Sequence, residues 1–176
     1  AMYLSSAPDV MQEQHIMVCG MPRSGTTALL EQLFATGEFG ALQYKDMPFI
    51  GCPNLANAVL SRFVQKVDVV ERAHADGIQV SSESPEAFDE VFFDRWDGDE
   101  FINDYRDLVS LILRKKNKTR YLSKNNNLFR KLGLVRQSLP SAKFVCVVRD
   151  PLEASASLFA QHKNFSALQE DAQFVR

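Results

Sequence analysis

Between His15 and Phe34 the chain changes its apolar period within a few residues, and this constrains the fold more than any other stretch. His15-Ile16-Met17-Val18-Cys19 reads as a short, largely apolar strand. Gly20-Met21-Pro22-Arg23-Ser24-Gly25 follows, a turn rich in residues that break regular structure. From Thr26 the residues Leu29, Leu30, Leu33 and Phe34 recur at three- and four-residue steps, the period of a helix packed on one side. Thr36-Gly37 ends that helix, glycine being suited to the left-handed stop. A short strand is expected near Phe39 to Gln43. Strand, glycine-containing loop, helix and strand in this order open a parallel α/β sheet.

The last third repeats the pattern. Thr119 to Ser123 reads as a strand, and Asn127 to Ser138 as a helix ended by Pro140. Lys143-Phe144-Val145-Cys146-Val147-Val148 is an almost unbroken apolar run, which suits a strand buried on both faces of a parallel sheet. Arg149-Asp150-Pro151 follows at once, and Pro151 to His162 reads as a helix. The middle carries weaker signals. Asn54 to Val70 is expected to be helical, in one piece or two, and Gly77 to Val80 a short strand. Ser84-Pro85-Glu86 places proline in a first turn, with a helix over Ala87 to Phe93. Arg95 to Glu100 is polar and reads as a loop. Phe101 to Lys116 reads as a helix whose last turn, Arg114-Lys115-Lys116, complements its negative end. With 176 residues, no repeat and no linker-like composition, a single domain over residues 1–176 is expected.

Composition narrows the function classes. A formal net charge of −2 gives no overall basicity suited to nucleic acid, although a local basic pocket is compatible with it. No apolar run approaches the roughly 20 residues a membrane span needs. Ala1 to Gln14 lacks the basic stretch and apolar core of a signal peptide, so cytoplasmic residence is the default expectation. Three cysteines, Cys19, Cys52 and Cys146, without a CxxC spacing, suggest neither a disulfide framework nor a zinc site. Cys19 and Cys146 read as small hydrophobes in buried strands. His15, His74 and His162 stand apart from metal-ligand spacings and read as structural or solvated, and no metal is implied.

The segment Gly20 to Thr27 has the chemistry of an anion-binding loop. Small residues let successive backbone N–H groups converge on an anion, and the following helix adds its positive end. Arg23 offers a bidentate fork, and Ser24, Thr26 and Thr27 offer hydroxyls. The two glycines have the spacing of a Walker loop, but Thr26 stands where the lysine would be, which argues against ATP or GTP hydrolysis. A Cys-x5-Arg phosphatase loop fails as well, since Arg23 follows Cys19 by only four positions.

Pro22-Arg23-Ser24-Gly25-Thr26-Thr27 after a strand resembles the loop that binds the 5′-phosphosulfate in the family of sulfotransferases dependent on PAPS (3′-phosphoadenosine 5′-phosphosulfate). That family holds the 3′-phosphate with an arginine at a strand end and a serine on the next helix, eight positions later; Arg149 and Ser157 have this spacing. Lys124-Asn125-Asn126 and Arg149-Asp150-Pro151-Leu152 are most similar to the bacterial and Golgi-type branches. The matches extend from about Ile16 to Phe165. The resemblance implies a three-layer, P-loop-like α/β fold with a central parallel sheet between helices. It implies transfer of a sulfuryl group from PAPS to a hydroxyl on a small-molecule or carbohydrate acceptor, without a metal. Pro22 to Thr27, Arg149 and Ser157 would bind the donor, and Arg23 and Lys124 would stabilise the leaving oxygen. Many relatives continue beyond the point matching Arg176, so part of the cover over the site is expected to be missing.

The general base is the least determined assignment. Cytosolic relatives place a histidine where this chain has Asn126, and an amide cannot act as a base. Carbohydrate and tyrosine sulfotransferases use a carboxylate shortly after the second strand, and Asp46 matches that place, with Glu83 or Glu86 in reserve. A nucleotide kinase or NTPase, and a domain that binds a bisphosphorylated nucleotide without turnover, are the competing readings.

Overall fold

The computed structural model describes residues 9–49, 70–71, 79–95 and 97–170. The first strand, β1 (Ile16–Gly20), leads through the glycine loop into α1 (Thr26–Ala35), and β2 (Phe39–Gly40) follows. Thr36 and Gly37 close α1 through backbone bonds to Leu33 and Phe34, with Gly37 at φ +74°. A 3-10 turn over Tyr44–Phe49 comes next. Two short strands, β3 (Val70–Glu71) and β4 (Gln79–Val80), form a separate antiparallel pair. Helices α2 (Asp89–Arg95) and α3 (Gly98–Lys116) precede β5 (Arg120–Lys124). Then come a 3-10 turn at Leu128–Arg130, α4 (Leu132–Ser138), β6 (Lys143–Val147) and α5 (Pro151–Glu170).

The main sheet is parallel, in the order β2-β5-β1-β6. Successive side chains of a strand point to opposite faces, and the core divides accordingly. Met17 and Tyr121 face α3 and α4, in a cluster with Tyr105, Ile112, Val135 and Leu139. Val18 and Leu122 face α1, in a cluster with Leu30, Phe39 and Ala41. A sheet with helices on both faces is the three-layer α/β arrangement that the resemblance implies, and its parallel strands are those expected from the strand–loop–helix pattern.

Several boundaries differ from the expectation, each for a local reason. Pro85 does not open a helix: it bridges Gln43, Tyr44 N donates to Ser84 O, and Glu86 N donates to Leu42 O, so the segment is extended and α2 starts at Asp89. Helix α3 begins at Gly98 instead of Phe101. Asp97 caps it by accepting Gly98 N at 2.9 Å, and Asp99 and Glu100 in the first turn favour the positive end of the helix. The helix expected from Asn127 breaks at Lys131 into a 3-10 turn and α4. Val70, the end of the helix expected over Asn54 to Val70, lies in β3; residues 54–69 and 77–78, Cys52 and His74 lie outside the described residues.

The strand expected to be buried on both faces is instead the edge of the sheet. In β6, Lys143, Val145 and Cys146 are exposed, and Val148 just beyond is 85% exposed. An apolar run suits a two-sided burial that this edge does not receive from the described residues. Cys146 is therefore not a buried hydrophobe; it lies opposite the half-buried Cys19 in the parallel register. Among the described residues no helix is long and apolar enough to cross a membrane.

One buried polar cluster ties the layers together. Asp89, 1% exposed at the start of α2, accepts hydrogen bonds from Tyr105 Oη (2.6 Å), Tyr121 Oη (2.7 Å) and Ser123 Oγ (2.7 Å). Burial raises its carboxyl above the ordinary range against these three donors, and burial beside Asp89 raises both phenols. The cluster joins α2, α3 and β5. Asp89→Ala would leave three buried hydroxyls without their acceptor, and about 3 kcal/mol of stability or more is expected to be lost. Urea denaturation of the two proteins measures it, and an unchanged midpoint would remove Asp89 from the account.

Candidate functional site

A cavity of about 640 Å³ opens beside the loop after β1, at the carboxyl ends of the parallel strands. In open α/β sheets this is where ligands bind, because the loops there diverge and the helix N-termini point inward. One wall is built by the loop and the first turn of α1: Pro22, Arg23, Gly25, Thr26 and Thr27. Lys124 and Asn126 after β5, and Arg149 after β6, add to it.

The loop has little freedom. A Cβ on Gly20 would meet Val147 O at 2.5 Å and Ser24 Oγ at 2.9 Å, so only glycine allows the chain to turn this close to the end of β6. Gly25, at φ +97°, is the N-cap of α1, and no side chain caps that helix. Arg23 is left-handed at φ +68°, unusual for a residue with a side chain. Two long-range bonds hold it: its Nε donates to Ser157 Oγ at 3.0 Å, and its carbonyl accepts Arg149 Nη1 at 3.1 Å. Thr26 Oγ1 donates to Asn126 Oδ1 at 3.3 Å, which links the loop to the end of β5.

The sequence-expected donor residues are therefore brought together, although not all in the same way. Pro22, Arg23, Gly25, Thr26, Thr27 and Arg149 line the cavity. Ser24 turns back on its own loop, its Oγ donating to Met21 O at 2.7 Å. Ser157 touches Arg23 from α5. Arg149 also pairs with Glu153, an exposed contact with 41% and 65% of the side chains open. Asp150 caps α5 by accepting the N–H groups of Leu152 and Glu153. The Arg149-Asp150-Pro151 segment thus starts a helix and presents an arginine at once.

The rest of the lining was only partly legible in the sequence. It comprises Tyr44, Glu86, Phe88, Glu90 and Asp94. Glu86 Oε2 accepts Tyr44 Oη at 2.9 Å, and Glu86 Oε1 accepts Ala87 N at 2.8 Å and lies 3.9 Å from Lys124 Nζ. Glu90 accepts from Asn127 Nδ2. The four-residue spacing of Glu90 and Asp94 was the available signal for a shared helix face, whereas Glu86 lies in the extended segment before α2. Gln161 of α5, also at the cavity, carried none.

Asp46, the first candidate for a general base, does not line this cavity. It is 1% exposed, with Lys115 Nζ on Oδ1 at 2.5 Å, Lys116 Nζ on Oδ2 at 3.0 Å, and Gln43 N on Oδ2 at 3.0 Å. Burial raises its pKa, but the hydrogen bond from Lys115 and the charge of Lys116 outweigh it and hold the carboxyl below its ordinary value. Lys116 is shifted unequally: burial lowers its pKa, and Lys45 and Lys115 oppose Asp46's effect in raising it. The geometry is that of a structural tie between the 3-10 turn and the end of α3. Glu83 also lies away from the cavity, exposed and paired with Lys45. Of the three carboxylates considered, Glu86 alone reaches it.

The histidines sort by position. His15 is fully buried, with Nε2 against Val10 O at 2.7 Å and Nδ1 accepting Tyr121 N at 2.9 Å. Burial lowers its pKa against the opposing Val10 carbonyl. His162 is exposed on α5. Among the described residues no group of three His, Cys, Asp or Glu side chains is arranged to hold a metal ion.

These features define an α/β protein with a cavity lined by Arg23, Lys124 and Arg149 at the carboxyl ends of a parallel sheet. A family model described as the sulfotransferase family matches residues 15–175, and the chain belongs to that family. Its fold is similar to that of sulfotransferase STF1 from Mycobacterium tuberculosis H37Rv, with a TM-score of 0.53 and 16% identity. The similarity covers 87% of this chain and 50% of the mycobacterial one, so the chain spans about half the length of that relative. A comparison with curated proteins finds no match.

Replacing Asp46 tests its structural placement. Asp46→Asn leaves two largely buried lysines facing an amide, and a loss of about 3 kcal/mol is expected at neutral pH. The depressed carboxyl contributes stability fully above its ordinary value of 3.8, and loses it as pH falls through the lower folded value. Thermal melts of wild type and variant are expected to differ at neutral pH and converge in strong acid. A difference that does not change with pH would disprove the role.

Proposed function

We propose that this chain carries the donor site and catalytic groups of a sulfotransferase that moves a sulfuryl group from PAPS to a hydroxyl acceptor. The observation that carries the reading is the convergence of Arg23, Lys124 and Arg149 with the start of α1 on one cavity. Three cations and a helix N-terminus suit a nucleotide with a phosphosulfate at one end and a phosphate at the other. In this reading Pro22 to Thr27 receive the 5′-phosphosulfate, and Arg149 with Ser157 receives the 3′-phosphate. Thr26 in the place of a Walker lysine is consistent with a donor other than ATP.

The chemistry follows from in-line displacement, in which positioning and charge stabilisation do most of the work. The acceptor oxygen forms a bond to sulfur as the bond from sulfur to the bridging oxygen breaks. Adenosine 3′,5′-bisphosphate leaves with that oxygen, and Lys124 and Arg23 offset the charge developing on it. The acceptor's proton goes to a carboxylate. We assign this role to Glu86 in place of Asp46, because Glu86 lies at the cavity and 3.9 Å from Lys124, whereas both Asp46 oxygens are taken by lysines. Glu90 and Asp94 line the same cavity. A small-molecule or carbohydrate hydroxyl is the acceptor class this reading carries.

Two measurements test it. Calorimetric titration is expected to show that adenosine 3′,5′-bisphosphate binds more tightly than ATP or adenosine 5′-phosphate; preference for ATP would replace this reading with a nucleotide kinase or NTPase. With an acceptor found by screening for bisphosphate release, Glu86→Gln is expected to lower kcat by about 10²- to 10⁴-fold. Its affinity for the bisphosphate should stay within about twofold, since a base acts on the acceptor and not on the donor's binding. Asp46→Asn, corrected for the folded fraction, should retain most of its kcat, and the reverse pattern would return the base to Asp46.

A further inference from the structure

We propose that Arg149 and Ser157 act as positioning residues for the loop after β1, linking the two ends of the donor site into one unit. The inference rests on the sulfotransferase reading and adds a second role to the pair expected to hold the 3′-phosphate. The left-handed backbone of Arg23 costs roughly 1–2 kcal/mol and persists where its surroundings hold it. Here Arg149 bonds its carbonyl and Ser157 bonds its side chain, from 126 and 134 residues away in the chain.

The directions of these bonds matter. Ser157 Oγ accepts from Arg23 Nε, and a hydroxyl that accepts one bond still has a proton to donate. A phosphate at Ser157 would take that proton, giving a chain from phosphate oxygen through Ser157 to the Arg23 guanidinium. Chains of this kind polarise and strengthen one another. Arg149 has five N–H donors, so it can meet a phosphate while Nη1 stays on the Arg23 carbonyl. Gly20 pressed against Val147 O leaves the loop no slack on its other side. Occupancy of the 3′ end therefore fixes Arg23, the residue that faces the sulfuryl end.

The discriminating ligand is adenosine 5′-phosphosulfate, which has no 3′-phosphate for Arg149 or Ser157 to touch. If the pair only clamps the 3′-phosphate, Arg149→Ala and Ser157→Ala leave its affinity unchanged. The proposal predicts that each weakens it by about three- to tenfold, the worth of one hydrogen bond. Ser157→Thr, which keeps the hydroxyl, is expected to restore affinity to within about twofold, which a general packing defect would not do.

A spectroscopic arm uses adenosine 3′-phosphate, which carries nothing for the loop to bind. In wild type it should move the backbone amide resonances of Arg23 and Gly25, and in Ser157→Ala it should not. Melting temperatures identify any variant that fails to fold; should Arg149→Ala be one, the Ser157 pair of variants decides. Unchanged affinity for the 5′-phosphosulfate, with weaker binding of adenosine 3′,5′-bisphosphate, would overturn the coupling and leave the donor assignment standing. Failure of wild type to bind either nucleotide would overturn both.

Discussion

The parallel pairing of β1 with β6 is the constraint on which the site depends. Its register runs from Ile16 opposite Lys143 to Gly20 opposite Val147, so the two strands end side by side. The loop after β1 and the arginine after β6 then emerge next to each other, although they are far apart in sequence. Glycine at the end of β1 is what makes the arrangement sterically possible, because a side chain there would strike the Val147 carbonyl. The hydrogen bonds between Arg149, Arg23 and Ser157 are consequences of that shared strand end.

Three carboxylates within a short span of structure have three different environments, and the environments separate their roles. Asp46 is paired with two lysines and kept charged, which suits a tie between elements. Asp89 is surrounded by hydroxyls in a buried layer, where the charged form is disfavoured. Glu86 sits at the cavity with one tyrosine and one lysine nearby. Residue type and spacing alone do not distinguish these three; partners and solvent access do.

The parts legible in the sequence were those where local chemistry dictates structure. The strand, loop and helix from Ile16 to Ala35 were read within a residue or two, because the change of apolar period and the glycines act locally. The nearness of Arg149 to the loop was reachable only through family resemblance, since nothing local links positions so far apart. The position of Asp46 was not legible, because Lys115 and Lys116 read as a complement to their own helix end and their second partner is set by tertiary packing. Likewise, Pro85 looks like a helix opener until the segment around Leu42 pairs with it. The exposure of β6 has the same origin: an apolar strand reports a preference for burial and not how many neighbours supply it.

The distribution of the cavity residues along the chain has a kinetic meaning. Arg23, Glu86, Lys124 and Arg149 come from widely separated segments, and they meet only when the parallel strands have all been paired. Closing such long loops is slow, and no partial assembly of the sheet holds the whole set. A ligand that touched all four side chains would therefore engage the completed fold and not its precursors. Its binding energy adds to global stability as its concentration exceeds the dissociation constant. Any ligand that needs the whole set would in this way favour the native form over partly folded ones.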